Sequence, residues 1–265
     1  MTSSPSLLKQ FTTFTNSADG LENLLRLLQY VCQVVEALSI SPVDAEPWVI
    51  AWKNIALGRR YFRFFKFIDC FEHAWAIFPG RDHDTSIVNH GGYVASTLEA
   101  CMWTNFGCYL LLEALTILEA LGVWVTDWSR KTLVESYKFW FYSLFFSILR
   151  SIWQLFWLSV NRTNKGPAAA VVPSDTEVKT QDERPIKLER QEDRVLDVQV
   201  ITPDATRSQC GYELMTDLVV SSCDILIPGS SVGWIEVSPL IVGSAGILST
   251  LLLGRRKWLV AQKQH

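Results

Sequence analysis

The chain lacks the usual marks of a catalyst. It has no cysteine pair at metal or redox spacing, no phosphate-cradling glycine loop, no nucleophile elbow and no His-x-x-x-His. Its six cysteines, Cys32, Cys70, Cys101, Cys108, Cys210 and Cys223, show no C-x-x-C pair and no paired Cys/His spacing. They read as reduced thiols, and neither a zinc centre nor a disulfide framework is expected. Asp82-His83-Asp84 is the nearest approach to a ligand set, but no second cluster joins it, so it reads as a solvated turn. The sequence therefore predicts no catalytic residues, no bound metal and no cofactor. Simple address signals are missing too. The Ser/Thr-rich first twenty residues carry Lys9 as their single cation, which suits neither a secretory nor a mitochondrial leader. The C-terminal Ala-Gln-Lys-Gln-His is not Ser-Lys-Leu, so an organelle address is expected to be internal and membrane-read. A net charge of −3 argues against a nucleic-acid partner.

What the chain has is apolar surface. Of its 265 residues 49% are hydrophobic and 11 are tryptophan, and they bunch into long blocks. These blocks predict an all-α fold, a membrane-associated helical bundle. Residues 1–19 read as a flexible leader. Residues 20–161 read as the helical membrane-associated region, opening with Leu21, Leu24, Leu25, Leu28, Val31, Cys32 and Val35 at helical spacing. The prolines of 39–47 break that helix, and a second is expected from the high 40s to about 78. A polar loop should cover 80–92. The block at 93–123 is helical and apolar but holds Glu99, Glu113 and Glu119. Each acid would cost roughly 2.5–3.5 kcal/mol at a bilayer centre, so a buried or interfacial helix is expected there.

The block at 138–160 is long enough to span a bilayer. It carries Arg150, and Ser143, Ser147, Arg150, Gln154 and Asn161 fall on one face. That stripe should turn to protein, with Arg150 paired to a glutamate of the preceding helix. Glu113 is the expected partner, ahead of Glu99 and Glu119. Residues 162–206 mix both charges with four prolines and no aromatic residue, and read as a charged linker. A short amphipathic helix is expected at 207–222. The segment 207–265 would end in a C-terminal membrane anchor at about 237–257. There, eighteen uncharged residues precede Arg255-Arg256-Lys257, a flank that puts the C-terminus in the cytosol. Both termini are expected there.

The stretch Leu57–Trp75 is the most distinctive. Arg59, Arg60, Arg63 and Lys66 sit among a run of aromatic rings. On a single helix over about 57–77 the cations gather on one face, while Phe64, Phe65, Ile68, Phe71 and Trp75 cover the other. That is the pattern of helices lying in an anionic membrane interface.

The ordered set "LLRLLQY" (24–30), "GRRYFRFFKFIDCFEHAW" (58–75), "FWFYSLFFSI" (139–148), "CDILIP" (223–228) and "VGSAGILSTLLLGRRKW" (242–258) resembles the peroxisomal biogenesis factor 11 family. The resemblance covers nearly the whole chain. It implies a protein of the peroxisomal membrane that elongates that membrane and promotes proliferation and fission by inserting an amphipathic helix. It assigns Arg59, Arg60, Arg63 and Lys66 to lipid headgroups, and Phe64, Phe65, Ile68, Phe71 and Trp75 to the wedge. It implies as partners an anionic lipid membrane, related peroxins in homo- or hetero-oligomers, and dynamin-type fission machinery. A channel or transporter for small metabolites is the alternative. The long leader and Glu72 on the apolar face depart from the family pattern and mark a divergent paralogue.

Overall fold

The computed structural model describes residues 6–77, 92–123, 126–164 and 203–263. Among these residues the chain is helical, with no strand. The expected polar loop, with Asp82-His83-Asp84, and most of the charged linker lie outside the described residues.

The first helix, α1 (Leu7–Asn16), replaces the expected flexible leader. Ser6 caps it, accepting from the Lys9 amide, and the Thr12 and Thr15 hydroxyls donate back to carbonyls of the preceding turn. Tertiary packing holds it in place: Phe14 is buried and its ring lies 5.3 Å from that of Trp258. Ser17 then serves both helices. It donates to the Phe14 carbonyl and accepts from the Gly20 amide, capping α2 (Ala18–Leu38). Pro42 starts α3 (Pro42–Phe62) instead of breaking it, because the first turn needs no proline amide, and Ser41 supplies the cap.

The single helix expected over 57–77 is two helices. After α3 a turn at residues 63–65 precedes α4 (Lys66–Ile77). The apolar block at 93–123 is likewise divided, into α5 (Gly92–Leu115) and the short α6 (Ile117–Ala120), with Gly122 at a left-handed φ of 71°. A 36-residue helix, α7 (Ser129–Asn164), follows. Then come α8 (Pro203–Asp224), α9 (Leu226–Val232) and α10 (Pro239–Lys263).

Packing closes these helices into a circuit. α3 lies on α2, α2 on α10, α10 on α8, α8 on α7, α7 on α5 and α5 on α4. The turn at 63–65 joins α4 back to α3. Small residues allow the closest approach: a Cβ on Gly246 would stand 2.6 Å from the Tyr30 ring, and one on Gly243 would stand 2.7 Å from Val34.

Among the described residues one helix is long and apolar enough to cross a bilayer, the Ser129–Val160 part of α7, and little of its most apolar stretch is buried. The expected anchor at 237–257 falls in α10, which also packs into the circuit. Its glycine side lies on α2, and its three terminal cations continue the same helix, which dilutes the apolar run.

Candidate functional site

The circuit encloses a cavity of about 520 Å³. Helices α2, α3, α4, α5, α7, α8 and α10 and the turn at 63–65 all contribute to its lining. Seven cationic side chains and four carboxylates face it.

The basic stretch supplies its densest part. Arg59 is 7% exposed; its Nε and Nη2 donate to Glu22 Oε1 at 3.1 and 2.8 Å, and its Nη1 to Gln29 at 2.7 Å. Arg63 donates to both oxygens of Glu113, at 3.1 and 3.2 Å, and Arg60 lies 3.5 Å from the same carboxylate. Glu113, 5% exposed, also accepts from the Tyr109 hydroxyl at 3.1 Å. Lys66 donates to Asp19 at 2.7 Å. So the sequence-predicted headgroup cations do not form a free basic face in this packing. Buried charge must be paired, and the three arginines find carboxylates from other helices, while the Lys66–Asp19 pair is exposed.

The predicted wedge residues divide. Phe65, Ile68 and Trp75 are exposed, at 67%, 53% and 64%, and so project away from the charged interior. Phe71 turns inward instead; its ring would sit 2.9 Å from a Cβ on Gly107. Phe64 is half-buried and stacks edge-on with Phe65 at 4.9 Å.

The expected Arg150–Glu113 pair is corrected. Arg150 forms an ion pair with Glu99 at 2.9 Å, while Glu113 is held by Arg60 and Arg63. The polar stripe of α7 does turn to protein. Ser143 donates to the Met102 carbonyl on α5, and Ser147 hydrogen-bonds Ser221 on α8 at 2.8 Å.

The sequence reading missed half of the network. Arg26 on α2 pairs with Asp224 on α8 at 2.5 Å and donates to Ser249 on α10. Lys257 lies 3.7 Å from Glu22, and Arg256 lies 2.6 Å from Asp217. A signal was present: Glu22, Arg26 and Gln29 recur at helical spacing along the apolar α2.

Electrostatics follow from the crowding. Burial pushes the Glu22 carboxyl up, but Arg59, Arg63 and Lys257 outweigh it and hold it at about 2. Burial opposes the charge of Arg63, yet Glu113 raises its pKa above the ordinary value. Burial lowers that of Lys257, with Lys66 and Arg26 adding to the effect, although Glu22 and Asp19 are close. Three N–H donors on the lining, Arg26 Nε, Arg63 Nε and Trp103 Nε1, are buried without an acceptor in the protein.

Comparison with known proteins supplies a context for this geometry. A family model, peroxisomal biogenesis factor 11, matches residues 8–258. The chain is 24% identical over 246 residues to peroxisomal membrane protein 11A of Homo sapiens, covering 91% of this chain and 92% of that one. No solved structure matches.

Proposed function

The chain belongs to the peroxisomal biogenesis factor 11 family, and we propose that it resides in the peroxisomal membrane and elongates it ahead of fission. The observation that carries this reading is the orientation of the α3–α4 corner. Phe65, Ile68 and Trp75 point outward, while Arg59, Arg60 and Arg63 are held from within and Lys66 pairs with Asp19 at the surface. The aromatic face enters the cytosolic leaflet, expands it relative to the other leaflet and bends the bilayer. Helix α7 and the charge-free run of α10 provide the two spans that cytosolic termini require, with the serines and Arg150 of α7 turned to protein. Headgroup binding by the four cations then requires their carboxylates to let go, so insertion and opening are coupled. Related peroxins and a dynamin-type fission machine are the partners in this reading.

Both termini face the cytosol. The two ends of the chain meet in the fold: the Phe14 ring packs at a tilt against that of Trp258, and Gln262 donates to the Gln10 carbonyl at 3.1 Å, which supports a shared side. Protease treatment of intact organelles should cut tags at both ends. Protection of one tag alone would refute this topology.

A second reading, a path for small metabolites, is favoured by one observation, the charged cavity inside an apolar exterior. Reconstituted protein separates the two. Elongation requires liposomes to tubulate in proportion to bound protein, whereas a path requires selective leakage from liposomes that stay round. Phe65→Ser with Trp75→Ser should abolish tubulation; wild-type tubulation by this variant would sink the wedge.

A further inference from the structure

The cavity holds more donor capacity than the protein uses. Its seven cations outnumber its four carboxylates. Two further acids, Glu113 and Asp19, hold Arg63 and Lys66 but are not on its wall. Each acid that does line it is already paired with a cation: Glu22 with Arg59, Glu99 with Arg150, Asp217 with Arg256 and Asp224 with Arg26.

After these pairings, Arg26 Nε, Arg63 Nε and Trp103 Nε1 still lack acceptors, and all three belong to buried or half-buried lining residues. Buried N–H groups are seldom left unpaired, because each forfeits its hydration. What the wall lacks is oxygen acceptors with negative charge. Lys257 gives the same indication, since burial and the neighbouring cations outweigh two nearby carboxylates in setting its pKa. Part of the wall is apolar, with Met102, Phe106, Leu110 and Trp140. Its volume exceeds that of a bare phosphate group.

We propose that this cavity is a binding site for a phosphate ester. The phosphate oxygens would accept from Arg26, Arg63 and Trp103, and the organic part would lie on the apolar wall of α5 and α7. Guanidinium groups suit this role because their planar donors match phosphate geometry. The inference goes beyond the elongation reading and does not depend on it, since the site exists whether the protein bends the membrane or conducts across it. The same chemistry is offered by a phospholipid headgroup and by a soluble phosphorylated metabolite.

The test uses the purified full-length chain in detergent. Tryptophan fluorescence follows its melting midpoint and its titration with glycerol 3-phosphate in one arm and short-chain phosphatidic acid in the other. Sodium chloride at matched ionic strength is the control. Saturable stabilisation by either ester is expected, and the arm that responds more tightly identifies the source. Glu99→Gln removes a competing acceptor and frees Arg150, so it should tighten binding about tenfold, the worth of one charge-assisted hydrogen bond. Glu99→Gln with Arg150→Gln should abolish that gain. Asp217→Asn, which frees the more exposed Arg256, serves if the first variant does not fold. A response equal to that of chloride, or one that weakens when an acid is removed, would overturn the proposal and leave a hydrated polar core.

Discussion

Along α7, Ser136, Ser143 and Ser151 are buried, while Phe145, Ile152 and Phe156 stand outside. α10 repeats the arrangement, with Ser249 and Thr250 fully buried and Leu248 and Leu251 exposed. In a soluble bundle the two walls would be exchanged. The inner wall of this circuit is held by ion pairs and hydroxyl bonds, and its outer wall is the apolar one. Such a surface is stable against lipid, where the hydrophobic effect no longer drives helices together and polar contacts and close packing must do so. The two walls should therefore answer differently to substitution.

The largest effect is expected inside. Glu113 holds Arg60, Arg63 and Tyr109 at once. Glu113→Ala leaves two buried guanidiniums without their carboxylate, and should cost about 3–5 kcal/mol in a denaturant titration of the detergent-solubilised chain. Adding Arg63→Met should recover part of the loss, because an unpaired charge is worse than none. A loss below about 1 kcal/mol would mean that water reaches this pair freely.

The next effect is a pH dependence of the inner wall. Glu22 is held at about 2, below its ordinary 4.5. Its folded value is depressed, so its contribution is complete above about 4.5 and lost as the pH falls from there toward 2. The melting midpoint should decline across that window, and Glu22→Gln should flatten the decline. An unchanged slope in the variant would assign the acid sensitivity to other carboxylates.

Between the walls lies the helix contact made by small residues. Gly246→Val would drive a Cβ into the buried Tyr30 ring, now 2.6 Å from that position. Overpacking of this kind costs about 1–3 kcal/mol. Gly58, whose Cβ would meet nothing within 4 Å, serves as the comparison, and Gly58→Ala should lack that loss.

These contrasts also show what the sequence could tell. Helical periodicity was enough to place the polar side of α7, because serine, serine and arginine recur on one face whatever lies opposite. The break at residues 63–65 was not legible, since Arg63-Phe64-Phe65 contains neither proline nor glycine. The burial of Arg63 against Glu113, fifty positions away, accompanies the break. The partner of Arg150 was misplaced for a reason of register. Counting from a turn at 126–132 centres the α5–α7 hairpin too late. Helix α5 ends at Leu115 and α6 follows, which moves the midpoint back and brings Glu99 opposite Arg150. A charge-free run such as that of α10 looks the same whether lipid or another helix covers it. Its glycines do face α2, but spacing alone does not say which helix accepts them.

The smallest effect on stability is expected at the outer wall, where it separates folding from function. Phe65, Ile68 and Trp75 are more than half exposed. Replacing all three by serine removes little packing within the protein, so the detergent-solubilised chain should keep its melting behaviour, each change costing about 0.5 kcal/mol or less. In a bilayer the same residues are the ones in contact with acyl chains. Burying each is worth about 1.5–3 kcal/mol there, so the triple variant should bind liposomes more weakly and lose tubulation while its inner ion pairs stay intact. Cosedimentation and electron microscopy of liposomes measure the two quantities. If the variant melts much earlier than wild type, these side chains belong to the fold and the contrast between the walls fails at α4. If it melts normally and still tubulates, the corner between α3 and α4 is not the wedge, and the exposed aromatic residues of α7 become the next surface to substitute.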